Sequence, residues 1–204
     1  MADNYLHKST DEIKYFSMKM FRPNMDSIPS YPLPPGYSFQ LYKKDSNDDE
    51  KWIDICKAAG EFKTKEQGME MFEKYFGEYK KNDLISKRLY FLVNPDGKYI
   101  GTATAGIDQI NGKEEGSLWW VSIIPEYQGK KLAKPLVSYV LHKIAEYSNV
   151  CYLDSQTTSW RAINMYADFN FVPSILKPDN FEDAWQLLSK LCNRNFLNDI
   201  DQTD

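Results

Sequence analysis

One stretch of eight residues limits the folds open to this chain more than any other. Residues 117–124 (SLWWVSII) are apolar on both faces of an extended strand, and Pro125 follows directly. A strand with one solvated face alternates apolar and polar residues, whereas a strand buried on both faces is apolar almost throughout. Proline lacks the amide hydrogen that continues a ladder. The stretch therefore predicts the central strand of a sheet, ending at Pro125.

Strand and helix signals alternate around this predicted central strand. Antiparallel hairpins are expected before it, because Asn94–Gly97 and Asn111–Gly112 are turn signals between apolar runs. Helices 130–147 and 159–169 are expected after it, on either side of a strand at 150–155. The other predicted strands are 13–22, 37–42, 89–93, 99–107 and one beginning at 171, and the other helices are 46–60, 64–81 and 181–191. The order predicts a mixed α/β fold in a single domain, a mostly antiparallel twisted sheet with flanking helices.

Changes in composition divide the chain into three parts. Residues 1–36 hold a polar start, a strand and a connector with prolines at 29, 32, 34 and 35. Proline fixes φ and removes a donor, so this connector is predicted to be extended. Residues 37–175 form the main domain. Residues 176–204 are predicted to add a C-terminal helix and tail that pack on the same domain.

The overall composition excludes several classes of function. The 204 residues include 25 Lys and Arg against 29 Asp and Glu, a net charge of −4, which gives no reason to bind nucleic acid or anionic membrane. No run reaches the ~20 apolar residues of a membrane span. Three scattered cysteines are too few for a disulfide framework or a zinc site, so no metal is expected. We expect a cytoplasmic protein, and the sequence leaves a homodimer open.

A basic segment follows the predicted central strand. Lys130, Lys131 and Lys134 fall in the first turn of the helix predicted from residue 130. A helix N-terminus carries partial positive charge and favours acidic residues, so three lysines there oppose the dipole unless an anion is bound. The alternative explanation is a solvated basic face on an acidic protein. Composition alone does not separate the two.

Two motifs resemble those of the GNAT N-acetyltransferase superfamily. The string Pro125–Ala133 is similar to its acetyl-CoA signature, Gln/Arg-x-x-Gly-x-Gly/Ala, with Gln128 first, Ala133 last and Lys131 at the middle glycine. About 30 residues later, Ser159–Tyr166 followed by Asn170-Phe171 resembles the family pattern Asn-x-x-Ala-x-x-Leu-Tyr followed by Gly-Phe. Asparagine is the second choice for a left-handed helix end, so we expect Asn170 to adopt that conformation. The resemblance covers roughly residues 37–173.

The resemblance implies a reaction and a role for each matching residue. Acetyl-CoA would be the cosubstrate, and a primary amine would attack it directly in a ternary complex, with no metal. It would lie in a gap between strands 117–124 and 150–155. The backbone of Ile123 would bond to the pantetheine or to the acetyl carbonyl, which it would polarise. Ser159 would contact the cosubstrate, and Tyr166 would protonate the departing thiolate. The pyrophosphate would rest on the amides of Gln128, Gly129, Lys130, Lys131, Leu132, Ala133 and Lys134.

The proton acceptor and the amine stay open. Many relatives carry a glutamate about where Trp119 and Trp120 stand, and an indole accepts no proton. The alternatives are Glu126, Asp108, Asp154 or water. We expect the acceptor to be a small-molecule or peptide amine, and the net negative charge of the chain favours a cationic small molecule.

Two other functions compete with an acetyltransferase. One is a catalytically silent acyl-CoA-binding module of the same fold, favoured by the departures at Lys131 and Trp119. The other is a nucleotide-binding protein, disfavoured because the chain lacks a Gly-x-x-x-x-Gly-Lys-Ser/Thr loop.

Overall fold

The computed structural model describes residues 12–174 and 180–198. The strands are β1 (Ser17–Arg22), β2 (Ser38–Leu41), β3 (Leu89–Val93), β4 (Tyr99–Ile110), β5 (Lys113–Ile123), β6 (Cys151–Gln156) and β7 (Val172–Pro173). The α-helices are α1 (Asp48–Ala58), α2 (Lys65–Lys81), α3 (Ile85–Arg88), α4 (Ala133–Ile144), α5 (Trp160–Ala167) and α6 (Phe181–Cys192). The predicted elements are therefore present, and α3, a helix of four residues, is an addition.

The seven strands follow the order β2-β3-β4-β5-β6-β1-β7 in one sheet. The predicted central position of β5 is confirmed, since it lies fourth of seven. Antiparallel pairing joins β1 to β6 and β7, and β3 to β2 and β4, while β5 pairs in parallel with β6 at Gly116–Cys151 and Ser117–Tyr152. The expected mixed, mostly antiparallel sheet with flanking helices is confirmed.

The chain forms two compact units. In the described residues, the first unit comprises 12–27, 108–117, 148–174 and 180–198. Its core includes buried side chains from β1, β6, α6, the turn after α5 and the segment after α6: Met20, Leu153, Phe169, Trp185 and Phe196.

The second compact unit comprises residues 28–107 and 118–147. Trp52 of α1 packs edge-on against Phe72 and Phe76 of α2, with ring centroids 5.3 and 5.5 Å apart. The proline-rich connector lies on α4 in this unit, where the Ser138 hydroxyl donates to the carbonyl of Pro29 at 2.7 Å. Side-chain packing of this kind holds the helices of the unit against its strands.

Helix α2 begins where its sequence predicts. Thr64 accepts a hydrogen bond from the backbone of Gln67 at 3.3 Å, and Gln67 Oε1 accepts from the backbone of Thr64. This reciprocal capping box satisfies two amides that the first turn leaves without helical partners. The predicted start of the helix at Thr64 is confirmed.

The predicted start of the helix after β5 is wrong. The helix was expected from Lys130, but α4 begins at Ala133 and ends at Ile144. Gly129 and Lys131 have φ angles of 74° and 60°, which no right-handed helix contains. Pro135 has no amide hydrogen and therefore belongs in the first turn. Lys130 and Lys131 lie in the loop, and of the three lysines only Lys134 is helical.

The described residues contain no helix that is long and apolar enough to span a bilayer. In the same part of the chain, no group of three or more His, Cys, Asp or Glu side chains is placed to hold a metal ion.

Candidate active site

The loop after β5 is tied back to the strand from which it leaves. A short 3-10 turn covers Pro125–Tyr127, and Gln128 follows in an extended conformation. The side-chain Nε2 of Gln128 donates to the carbonyl of Ile123 at 2.8 Å. The structure therefore brings together two of the predicted site residues, Gln128 and Ile123.

Lys131 stands at the position of the middle glycine and has a backbone conformation that favours glycine. Its φ of 60° lies in the left-handed region, and Gly129 two residues earlier has φ 74°. Left-handed residues next to right-handed ones turn successive amides towards one side, which forms an anion-binding concavity. Lysine pays a steric cost there that glycine avoids. A left-handed backbone is therefore present at this position although the residue is lysine, a conformation that the sequence did not predict.

The N-terminus of α4 is suited to an anion. Leu132 is the N-cap without a side-chain capping bond, and no acidic residue lies in the first turn. The first helical bond runs from the amide of Leu136 to the carbonyl of Leu132 at 3.2 Å. The amides of Ala133 and Lys134 therefore come before the first amide that bonds to a carbonyl of the helix. These groups fit the pyrophosphate of acetyl-CoA, since the first-turn amides and the dipole of a helix both favour an anion.

Two lysines of this segment lie over aromatic rings. The Lys130 ammonium is 4.3 Å from the ring centroid of Tyr127, and the Lys134 ammonium is 5.2 Å from that of Tyr31. The Tyr127 hydroxyl in turn accepts from Nδ2 of Asn94 at 2.7 Å. These cation–π contacts hold positive charge close to the uncapped helix end.

The second predicted motif lies in the first compact unit. Ser159 ends a 3-10 turn directly before α5, and its hydroxyl accepts from Nε2 of Gln156 at 2.9 Å. Tyr166 lies near the end of α5 and is 7% exposed, with its ring packed edge-on against Phe171 at 6.0 Å between centroids. Asn170 has φ 60°, so its expected left-handed conformation is confirmed.

Strand β5 is irregular at the position where many relatives carry a glutamate. Trp120 has φ 53°, which is rare for a bulky side chain in a strand. Successive residues of a regular strand point to opposite faces, yet both indoles contact Tyr75, with centroids 5.8 Å away for Trp119 and 5.0 Å for Trp120. Gly106 leaves no room for a Cβ beside Trp119. The irregularity turns two aromatic rings towards α2.

The three carboxylates considered as proton acceptors have different surroundings. Asp154 pairs with Lys19 at 2.9 Å, and its side chain is 68% exposed. Glu126 is exposed in the turn Pro125–Tyr127, and Asp108 is half-buried in β4. None of these arrangements singles out a proton acceptor.

Sequence reasoning missed a fourth carboxylate. The Ser122 hydroxyl of β5 donates to Oε1 of Glu61 at 3.4 Å, and Glu61 lies in the loop between α1 and α2. Burial raises the pKa of Glu61, and the hydrogen bond from Ser122 offsets part of that effect. The two residues are 61 positions apart, so no local pattern in the sequence connects them.

A mixed sheet with a strand, an anion-suited loop and a helix in succession is the arrangement expected of an acetyltransferase. A family model described as "Acetyltransferase (GNAT) family" matches residues 52–171. The match covers more than half of the chain, so the chain belongs to the GNAT acetyltransferase family.

Solved structures of low sequence identity share the fold. A GCN5-related N-acetyltransferase from Sphaerobacter thermophilus aligns with TM-score 0.55 and 14% identity, over 81% of this chain and 51% of that one. A GNAT-family acetyltransferase from Colwellia psychrerythraea gives TM-score 0.59 and 9% identity, over 79% and 55%. A protein from Pyrococcus horikoshii gives 0.53 and 19%, over 65% and 87%.

The first two of these neighbours are longer than the aligned region. This chain spans 51% of the Sphaerobacter protein and 55% of the Colwellia protein. At these identities the likeness concerns the fold alone. A search of curated protein sequences found no match.

Proposed function

We propose that the chain is an acetyl-CoA-dependent N-acetyltransferase that moves the acetyl group to a primary amine by direct attack in a ternary complex. The observation that carries the proposal is the segment Gln128–Lys134 in a member of the GNAT family. There Lys131, at the position of the family's middle glycine, has a left-handed backbone, and the helix that follows has neither a side-chain cap nor an acidic first turn.

The residues of this segment have separate roles in the proposal. When bound, acetyl-CoA supplies the activated acetyl group. The amides of residues 128–134 hold its pyrophosphate, and Lys130 and Lys134 add positive charge. The backbone amide of Ile123 polarises the acetyl carbonyl, and the Gln128 side chain supports it by fixing the carbonyl of Ile123.

In the proposal, the second motif provides the other contacts. Ser159 contacts the cosubstrate, and the Tyr166 hydroxyl protonates the departing CoA thiolate. No covalent enzyme intermediate is needed, so the buried thiol of Cys151 has no part in the reaction. The three free cysteines agree with the reducing cytoplasm as the place of action.

A turnover screen tests the proposal. Acetyl-CoA is mixed with polyamines, aminoglycosides, amino acids, a peptide N-terminus and protein lysines, and the release of free CoA thiol is followed. We expect one class to give saturable turnover, with a cationic small molecule first. Binding of CoA without turnover in any class would favour the silent acyl-CoA-binding module. Tight binding of ATP with none of CoA would favour a nucleotide-binding protein.

A further inference from the structure

The loop between α1 and α2 places Glu61 by backbone hydrogen bonds. Gly60 has φ 90°, which turns the chain after the helix, and its amide donates to the carbonyl of Lys57 at 3.0 Å. The amide of Glu61 donates to the carbonyl of Cys56, also at 3.0 Å. Glu61 is therefore fixed at the C-terminal end of α1 by two bonds to the helix itself.

Ser122 connects this carboxylate to the strand proposed to hold the acetyl group. Ser122 is 5% exposed and immediately precedes Ile123. Its hydroxyl faces Glu61 at 3.4 Å, a distance longer than an ordinary hydroxyl–carboxylate bond. Catalytic hydrogen bonds are often long in the absence of substrate and shorten in its presence. Glu61 therefore contacts the residue of β5 that directly precedes Ile123.

We infer that Glu61 is the proton acceptor that deprotonates the amine in the acetyl transfer proposed above. The inference rests on that proposed function and adds to it a residue outside both family motifs. It differs from the sequence-based candidates, because Asp154 is held by Lys19, whereas Glu61 accepts from the strand residue that precedes Ile123.

The surroundings of Glu61 agree with this role. The side chain borders solvent, and the neighbouring protein atoms desolvate its carboxyl group enough to raise its pKa. The Ser122 hydroxyl of β5 donates to it, and its charge interacts with the Cys56 thiol of α1. Burial raises the pKa of Cys56 well above its usual value, so the thiol stays neutral and adds no charge. A raised carboxyl pKa makes Glu61 a stronger base at neutral pH.

The proton transfers balance as follows. The amine arrives as an ammonium ion and gives one proton to Glu61, which frees the nitrogen lone pair. That lone pair forms the C–N bond to the acetyl carbon while the C–S bond breaks, and the CoA thiolate takes a proton from Tyr166. The second nitrogen proton restores the Tyr166 hydroxyl through solvent, and Glu61 releases its proton to water. The products are an N-acetylated amine, CoA thiol and one proton.

The test compares Glu61→Gln with the wild type in kcat/KM against pH, using an amine accepted in the turnover screen. Wild-type kcat/KM should rise with pH through the pKa of Glu61. Glu61→Gln should lower kcat by ~10²-fold or more at neutral pH and abolish this rise of kcat/KM with pH, the acidic limb of the profile. The Kd of acetyl-CoA should stay within about twofold of the wild-type value. Glu61→Asp should keep the limb at reduced rate. Glu70→Gln, on the exposed surface of α2, should behave as the wild type.

Ser122→Ala provides a second measurement, because a merely structural role of Glu61 would not make the pH profile of kcat/KM depend on Ser122. Loss of its hydrogen bond removes an interaction that lowers the pKa of Glu61, so the acidic limb should move to higher pH. A Glu61→Gln enzyme with wild-type rate and pH profile would overturn the inference and leave the proposed function standing. Loss of the limb in Glu126→Gln, Asp108→Asn or Asp154→Asn instead would also overturn it. A wild-type protein that binds no acetyl-CoA would reject both.

Discussion

Removal of a single hydroxyl separates the two roles open to Tyr166. The ring packs against Phe171 and is buried, so Tyr166→Phe keeps the packing and should leave the fold intact. If the hydroxyl is the general acid, kcat should fall by ~10²–10⁴-fold with little change in the Kd of acetyl-CoA. Single-turnover acetyl transfer is the appropriate measurement, because product release can mask the chemical step.

The control for Tyr166→Phe is Tyr42→Phe, the same deletion at another buried tyrosine. The Tyr42 hydroxyl donates to Asp49 at 3.5 Å and lies outside the proposed machinery. Tyr42→Phe should retain wild-type chemistry. If Tyr166→Phe does so too, Tyr166 is a packed aromatic residue and the protonating group is elsewhere.

The left-handed backbone of Lys131 allows a test of whether its backbone amide or its side-chain ammonium contacts the phosphate. A left-handed residue with a Cβ costs ~1–2 kcal/mol. Lys131→Gly removes that cost, although glycine also raises the entropy of the unfolded chain, which offsets part of the gain in stability. Because the proposal assigns the phosphate contact to the amide, Lys131→Gly and Lys131→Asn should bind acetyl-CoA within about twofold of the wild type, by calorimetry.

Gly129→Ala is the matched control, because it adds a Cβ at a left-handed residue, whereas Lys131→Gly removes one. Gly129 has φ 74° with open space around its Cβ position, so alanine there adds backbone strain and no clash. We expect lower stability by ~1 kcal/mol and weaker acetyl-CoA binding. If Lys131→Gly and Lys131→Asn weaken binding more than Gly129→Ala, the Lys131 side chain holds the phosphate instead.

The junction of the loop with α4 allows a direct comparison of backbone and side-chain anchoring. Ala133→Leu places a bulky group at the first helical residue and should weaken acetyl-CoA binding at least tenfold by blocking access to the amides. Lys130→Ala removes an exposed, screened charge and should cost less than about threefold. Ala133→Gly, the other residue that the family pattern allows, should bind as the wild type. Larger harm from Lys130→Ala would mean that side chains provide the anchor.

Local signals in the sequence predict most of the elements. The turn Asn94–Gly97 and the capping residue Thr64 act within four residues, so β3 and the start of α2 were predicted correctly. The uniformly apolar run of β5 also predicts its central place, because only a strand covered on both faces needs such a run. The family pattern likewise depends on local spacing, and it indicates the loop that is proposed to bind the pyrophosphate.

The features that sequence reasoning missed depend on long-range packing. Nothing in a basic run shows that Lys131 would adopt a left-handed φ, so α4 was predicted three residues too early. The irregularity at Trp120 arises where two rings pack on one tyrosine of α2. The Glu61–Ser122 contact joins residues 61 positions apart. Burial and side-chain contacts of this range appear only once the chain is folded.

For the chain as a whole, binding of acetyl-CoA should appear as added stability. A ligand that binds only the native state stabilises it by RT ln(1 + [L]/Kd), about 2.7 kcal/mol at a hundredfold excess over Kd. For a chain of this size that corresponds to a rise in Tm of roughly 5–10 °C. Thermal unfolding followed by circular dichroism, with and without millimolar acetyl-CoA, measures the shift.

Three comparisons test whether this thermal shift comes from binding at the proposed pyrophosphate site. CoA should give a shift close to that of acetyl-CoA, because the proposed anchor holds the pyrophosphate that both carry. ATP at the same concentration should give a much smaller one, since the chain lacks the loop that cradles a triphosphate. Ala133→Leu should lose most of the shift while its Tm without ligand stays near that of the wild type. Folded wild-type protein whose Tm does not move in millimolar acetyl-CoA would contradict the assignment of the cosubstrate, because a site that binds it must stabilise the native state.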